Sequence, residues 1–172
     1  MYYPDIINVT KKLPEQLIGY KEEGLILWEK KYENFNTYIF SICLTENKLV
    51  ESWKKLRNDI ALYFQSNLEK EIELWNIYIV FFIEDKIEQI ELKYKIENDH
   101  YCARKIVLDN VGDIKDDQEK LKSLIIKKLF ELKIPELTTP DSIEEIENLI
   151  NLNDPRLTGI NTIQTLIKVY KD

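Results

Sequence analysis

Apolar residues fill almost every position of Leu74-Trp75-Asn76-Ile77-Tyr78-Ile79-Val80-Phe81-Phe82-Ile83, and β-branched and aromatic types dominate the run. A strand covered on both faces reads this way, because neither of its alternating sides meets water. It is the expected central strand of a sheet. Glu84-Asp85-Lys86 breaks the run, and beyond it Ile90, Leu92, Tyr94 and Ile96 alternate with Gln89, Glu91, Lys93 and Lys95, the period of a strand with one wet face. Asn98-Asp99 supplies a turn. Tyr101 to Leu108 then reads as a third strand, so Glu71 to Asp109 is expected to form an antiparallel meander. In that register Tyr94 faces Ala103 and Lys93 faces Arg104, which places Arg104 on the wet face with Glu91, Lys93 and Lys95. Lys105 is turned to the apolar side beside Leu92. A lysine there must snorkel past the sheet edge or meet a carboxylate, and Glu97 and Asp99 are the nearest in sequence. Alternation also sends Trp75 and Tyr78 to different faces of the covered strand, so truncating Trp75 to alanine is expected to cost about 3 to 5 kcal/mol.

The flanks follow the same logic. Thr37 to Leu44 has strand composition, with Tyr38, Phe40, Ile42 and Leu44 on one face. Thr45 is placed to cap a helix running to about Gln65, whose buried stripe is Leu49, Val50, Trp53, Leu56, Ile60, Tyr63 and Phe64. After the meander Val111-Gly112-Asp113 turns the chain, and Asp116 with Glu119 matches the spacing of a capping box. The helix that starts there carries Leu121, Leu124, Ile125, Leu129 and Leu132 on one side and stops before Pro135. Thr139-Pro140 opens a third helix, with Ile143, Ile146, Leu149 and Ile150 apolar, and Ile160 to Tyr170 forms a fourth with Ile163, Leu166 and Ile167. In residues 1–35 a short helix is expected after Leu13, with Pro14 at its first position, and the remainder, including Leu25-Ile26-Leu27-Trp28, is read as irregular. The fold class is α+β: one antiparallel sheet in the order β-α-β-β-β-α with helices packed on it. Residues 1–135 form the sheet domain, and 136–172 are a helical extension packed on the same domain.

Composition narrows the functional field. With 172 residues, 44% hydrophobic and 32% charged, the chain is long enough for a real core and carries no repeat. Its formal charge of -7 repels phosphate backbones, so contact with DNA is expected only indirectly. The longest apolar run is too short for a membrane helix, and Pro4 and Asp5 interrupt the layout of a signal peptide, so a cytoplasmic protein is expected. Cys43 and Cys102 both fall in predicted strands, where cysteine acts as a small hydrophobe, and two of them make no disulfide framework.

No catalytic, cofactor-binding or metal-binding constellation emerges. His100 is the single histidine, in a predicted turn beside Asp99, and one histidine does not build a His-rich metal site. No serine sits in an elbow motif, and the four glycines form neither a phosphate loop nor a dinucleotide-binding loop. Asp85 followed by Glu91-Leu92-Lys93 on successive β positions mimics the acidic-acidic-lysine core of restriction-type, PD-(D/E)xK-like nucleases. That pattern is unspecific, since Glu131-Leu132-Lys133 repeats it and a wet strand face produces it for solubility alone.

Trp75-Asn76-Ile77-Tyr78-Ile79-Val80-Phe81-Phe82, followed by Ile96-Glu97-Asn98-Asp99 and Ala103-Arg104-Lys105, resembles the middle components of bacterial ABC three-component defence systems, the group that includes the small subunit of Lamassu. The resemblance covers the centre of the chain; the amino terminus and the last helices carry no matching motif. It implies a non-enzymatic adaptor that works with a large ATPase of the structural-maintenance-of-chromosomes (SMC) or Rad50 type and with an effector, often a nuclease, against phage or plasmids. The residues it carries over are Trp75, Asn76, Tyr78, Glu97, Asp99, Arg104 and Lys105, in a structural or partner-binding role. A competing reading of a small acidic α+β chain is an immunity protein or antitoxin that masks a basic toxin by charge complementarity. Charge is also unevenly placed, with Lys120, Lys122, Lys127 and Lys128 on one predicted helix and Asp141, Glu144, Glu145, Glu147 and Asp154 beyond it.

Overall fold

The run Ile77–Ile83 is a strand buried on both sides, and it lies inside a five-stranded sheet with neighbours on either edge. The computed structural model describes residues 5–131, within the unit Met1–Glu131. The helices expected over 139–153 and 160–170 lie outside the described residues. The elements in chain order are β1 (Ile7–Asn8), α1 (Ile18–Glu22), β2 (Ile26–Lys31), β3 (Asn36–Leu44), α2 (Glu46–Tyr63), α3 (Glu71–Leu74), β4 (Ile77–Ile83), α4 (Ile90–Glu97), β5 (Arg104–Leu108) and α5 (Gln118–Leu129). Spatial order in the sheet equals chain order, β1-β2-β3-β4-β5.

This is an α+β architecture, but the sheet is mixed rather than antiparallel. β1, β2 and β3 pair antiparallel, whereas β3 with β4 and β4 with β5 are parallel. Parallel neighbours need a crossover of a dozen residues or more, usually a helix. α2 supplies the first. The second is α4, formed by the residues whose alternation predicted a strand, and so the expected meander and its Tyr94–Ala103 and Lys93–Arg104 pairs do not form. The physical reason lies in the spacing. Positions 90, 92, 94 and 96 alternate, yet they also contain two pairs four apart, which a helix separates onto opposite sides. Ile96 is fully buried and Leu92 partly so, while Ile90 and Tyr94 are 71% and 70% exposed.

The amino-terminal region also departs from expectation. Pro14 precedes a 3-10 turn, Glu15–Leu17, that leads into α1, close to the short helix expected there. Ile26 to Lys31, read as irregular, instead supplies β2, and Gly24, with φ of 101°, turns the chain toward it. Four apolar residues are too few to reveal a strand locally. β2 is stabilised by its long pairing with β3, from Ile26 opposite Ser41 to Lys31 opposite Asn36.

Strand alternation distributes the core to both sides. Leu27, Phe40, Ile42, Leu44, Ile77, Ile79, Phe81, Ile83 and Val107 face α2 and α4, where they meet Leu49, Trp53, Leu56, Ile60 and Ile96. Trp28, Ile39, Val80 and Phe82 face the other way, onto Leu121 and Ile125 of α5. The helix predicted after Thr45 forms as expected, and Thr45 Oγ1 accepts from Lys48 N at 3.4 Å. For α5 the cap is Asp117, one residue beyond the expected Asp116; its Oδ1 accepts from Lys120 N at 2.9 Å.

Candidate functional site

In β5 the alternation turns Lys105 and Val107 toward α2 and α4, and the Lys105 side chain has no exposed surface. A buried ammonium needs compensation. The connection from α4 to β5 provides it. Cys102 adopts φ of 65°, and around this left-handed residue the carbonyls of Asp99 and Tyr101 both accept from Lys105 Nζ, the former at 2.8 Å. Nζ also lies 2.6 Å from Asp99 Oδ1. That oxygen receives no aligned hydrogen-bond donor, so the contact is an ion pair. The expected meeting of Lys105 with a nearby carboxylate therefore occurs, with Asp99 as the partner. Asp99 Oδ2 accepts from Arg57 Nη1 at 2.6 Å, and the Arg57 guanidinium lies 5.3 Å from the Trp53 ring and 4.7 Å from the Tyr101 ring. Burial would raise Asp99, but the close approach and charge of Lys105 and the charge of Arg57 outweigh it and hold the carboxyl below its usual range. For Lys105 burial prevails over Asp99, and its ammonium titrates below the ordinary lysine value.

Glu97 is used at the sheet margin. Its Oε1 accepts from Val107 N at 2.9 Å, satisfying a donor that edge strand β5 would otherwise leave open. Lys93 Nζ pairs with Asp109 Oδ1 at 2.7 Å, and Asp109 Oδ2 accepts from Ile87 N at 3.2 Å. The Lys93 hydrogen bond holds the Asp109 carboxyl below its usual range. The nuclease-like trio is thereby taken apart. Glu91 and Lys93 are two apart on a helix rather than on one strand face, so they diverge, and both Asp85 and Glu91 are exposed.

Of the other half of the motif, Trp75 and Arg104 are exposed, while Asn76 and Tyr78 are half-buried and Tyr78 packs against the cluster that faces α5. Trp75 is not in the covered strand: it follows α3 as its last cap and is 66% exposed, which overturns its expected burial. Asn76 links α3 to the sheet, its Nδ2 donating to Ile72 O at 2.7 Å and its carbonyl accepting from Tyr38 N at 3.0 Å. Tyr78 and Arg104 are register partners across β4 and β5. Arg104 Nη1 donates to Tyr78 Oη at 3.0 Å, with the guanidinium 5.6 Å from the ring. Among the described residues no carboxylate pairs with Arg104.

His100 is exposed in the connection between α4 and β5, and Cys43 and Cys102 are free and half-buried, with burial pushing the Cys43 thiol up to about 11. Cys102 lies outside the strand in which it was expected. A cleft of about 180 Å³ opens at the carboxyl ends of β3 and β4, where Lys48, Lys115, Glu84 and Asp113 mix charges of both signs. Among the described residues no group of three His, Cys, Asp or Glu side chains could hold a metal ion, and no helix is long and apolar enough to cross a membrane. Sequence reasoning missed Arg57 and Asp109. Only the placement of Arg57 four residues after Trp53, at the rim of the α2 stripe, hinted at its role.

The arrangement defines a mixed-sheet α+β domain whose charged motif is divided between an inward network and an outward aromatic-cationic strip. Residues 37–133, from β3 through α5, match the family ABC-three component (ABC-3C) system Middle Component 1. The chain belongs to this family. No curated protein and no solved structure gives a match.

Proposed function

We propose that this protein is a non-catalytic adaptor, the middle subunit of an ABC-3C assembly, linking an SMC- or Rad50-like ATPase to an effector, often a nuclease, in Lamassu-like defence against phage or plasmids in the cytoplasm. Family membership supports a place in a multi-component system. The observation that carries the non-catalytic part is the fate of three of the motif's four charges and of the nuclease-like lysine: Glu97 holds the β5 edge, Asp99 and Lys105 neutralise each other, and Lys93 is bound to Asp109. Groups held in such pairs stabilise the fold and are not presented to a substrate. DNA enters this reading only through the complex, in keeping with the charge of -7.

Co-expression with the products of neighbouring genes, followed by purification on a tag, tests whether an ATPase and an effector co-purify with it. A ternary complex is the expected outcome. The protein alone is expected neither to cleave DNA with magnesium or manganese nor to hydrolyse ATP. Divalent-dependent cleavage lost in Glu91→Ala would overturn the proposal.

A further inference from the structure

Resting on the adaptor reading, we infer that Trp75, Tyr78 and Arg104 form the docking strip for an acidic-apolar segment of a partner protein, with a partner carboxylate on Arg104 and an apolar side chain against the Trp75 indole. Arginine, tryptophan and tyrosine are the residue types that dominate binding energy at protein interfaces. Here they occur together at one end of β4 and β5. Trp75 stands three residues before Tyr78, which is paired across the ladder with Arg104. A tryptophan 66% exposed does nothing for the core. Its neighbour Ile72, in α3, is 47% exposed and widens the apolar surface.

Charge identifies the occupant. The guanidinium is already oriented by one hydrogen bond at 3.0 Å and by the Tyr78 ring, which leaves most of its five donors available in a fixed fork. A carboxylate meets that fork with two parallel hydrogen bonds, and an arginine pre-positioned on an aromatic ring loses little freedom in binding it. A phosphate backbone offers similar oxygens but no apolar side chain for the Trp75 indole, and the charge of -7 opposes a long polyanion far more than a single carboxylate. A short acidic segment of a protein, with its apolar side chains, fits both halves of the strip.

The test uses the full chain and the purified ATPase and effector of the same system, each measured by calorimetry and by tryptophan fluorescence. Trp28 and Trp53 are buried, so a blue shift on binding that is absent with Trp75→Ala reports Trp75. Trp75→Ala and Arg104→Ala are each expected to weaken binding of one of the two components about tenfold or more, with an unchanged melting midpoint, and rising salt is expected to weaken the parent more than Arg104→Ala. Ile90→Ala, on the outer side of α4, is the control and leaves binding unchanged. If the parent binds a component and both variants bind it equally well, the strip is wrong while the adaptor reading survives. If the parent binds neither component, the adaptor reading fails and takes the strip with it. Loss in the variants of duplex-DNA binding, or of self-association on gel filtration, in place of loss of component binding, assigns the strip to nucleic acid or to a second copy and overturns the inference.

Discussion

At the scale of single residues the decisive fact is that Lys105 is fully enclosed while its counter-ion Asp99 is shared with Arg57. Removing one member of a buried pair leaves an uncompensated charge. Asp99→Ala is therefore expected to destabilise by about 3 to 5 kcal/mol. Lys105→Met should be milder, because methionine fills much of the volume and Asp99 keeps Arg57; urea denaturation of the two variants would reveal the order, and an equal or reversed order would contradict it. The same network sets the response to acid. Asp99 and Asp109 both titrate lower in the folded chain than in the unfolded one. Their contribution is thus fully present above the unfolded carboxylate value, near 3.9, and is lost as pH falls through the lower folded values. Urea midpoints are expected to drop steeply below about pH 4, and Asp109→Asn should flatten that drop. A variant with the parent's acid profile would show that Asp109 contributes nothing.

At the scale of elements α4 separates the two readings of its sequence. Had residues 90–96 been a strand, Ile90, Leu92, Tyr94 and Ile96 would share one face and be of similar importance. In the helix, Ile96→Ala removes a fully buried side chain and is expected to cost about 2 to 5 kcal/mol. Ile90→Ala and Tyr94→Ala are expected to stay within about 0.5 kcal/mol of the parent, as surface changes do. Equal losses at all of these positions in thermal melts would argue for the strand. The short α3 gives a parallel case, since Trp75 at its end is exposed and Trp75→Ala is expected to be nearly neutral for stability rather than costly. A loss of several kcal/mol in that variant would return Trp75 to the core.

At the scale of the whole molecule the described residues 5–131 already form two apolar clusters, one on each side of the sheet. A chain cut after residue 140 is expected to retain one cooperative transition by circular dichroism, and a broad, non-cooperative melt would contradict this. The family match, 37–133, begins at β3 and so omits the antiparallel pair formed by β1 and β2. The matched part is the parallel unit of β3, α2, α3, β4, α4 and β5, together with α5, and it contains every residue of the inward network and of the proposed docking strip.

Local chemistry by itself determined the central strand, the faces of β3, the cap of α2 and its stripe apart from Val50, which is 45% exposed, the apolar side of α5 and the need of Lys105 for a carboxylate. Each of these is written in neighbouring residues: a continuous apolar run, a period of two, a threonine before a period near 3.6. Only the tertiary structure decided that residues 90–97 are a helix, because their alternation reads locally as a strand, and a parallel β5 beside β4 requires a crossover there, with Leu92 and Ile96 inside and Ile90 and Tyr94 outside. It also decided β2, whose few apolar residues acquire meaning from the ladder with β3. The candidate site was divided in the same way. The resemblance marked its residues, but which of them turn inward depends on contacts distant in sequence, such as Arg57 with Asp99, and no local pattern encodes such a contact.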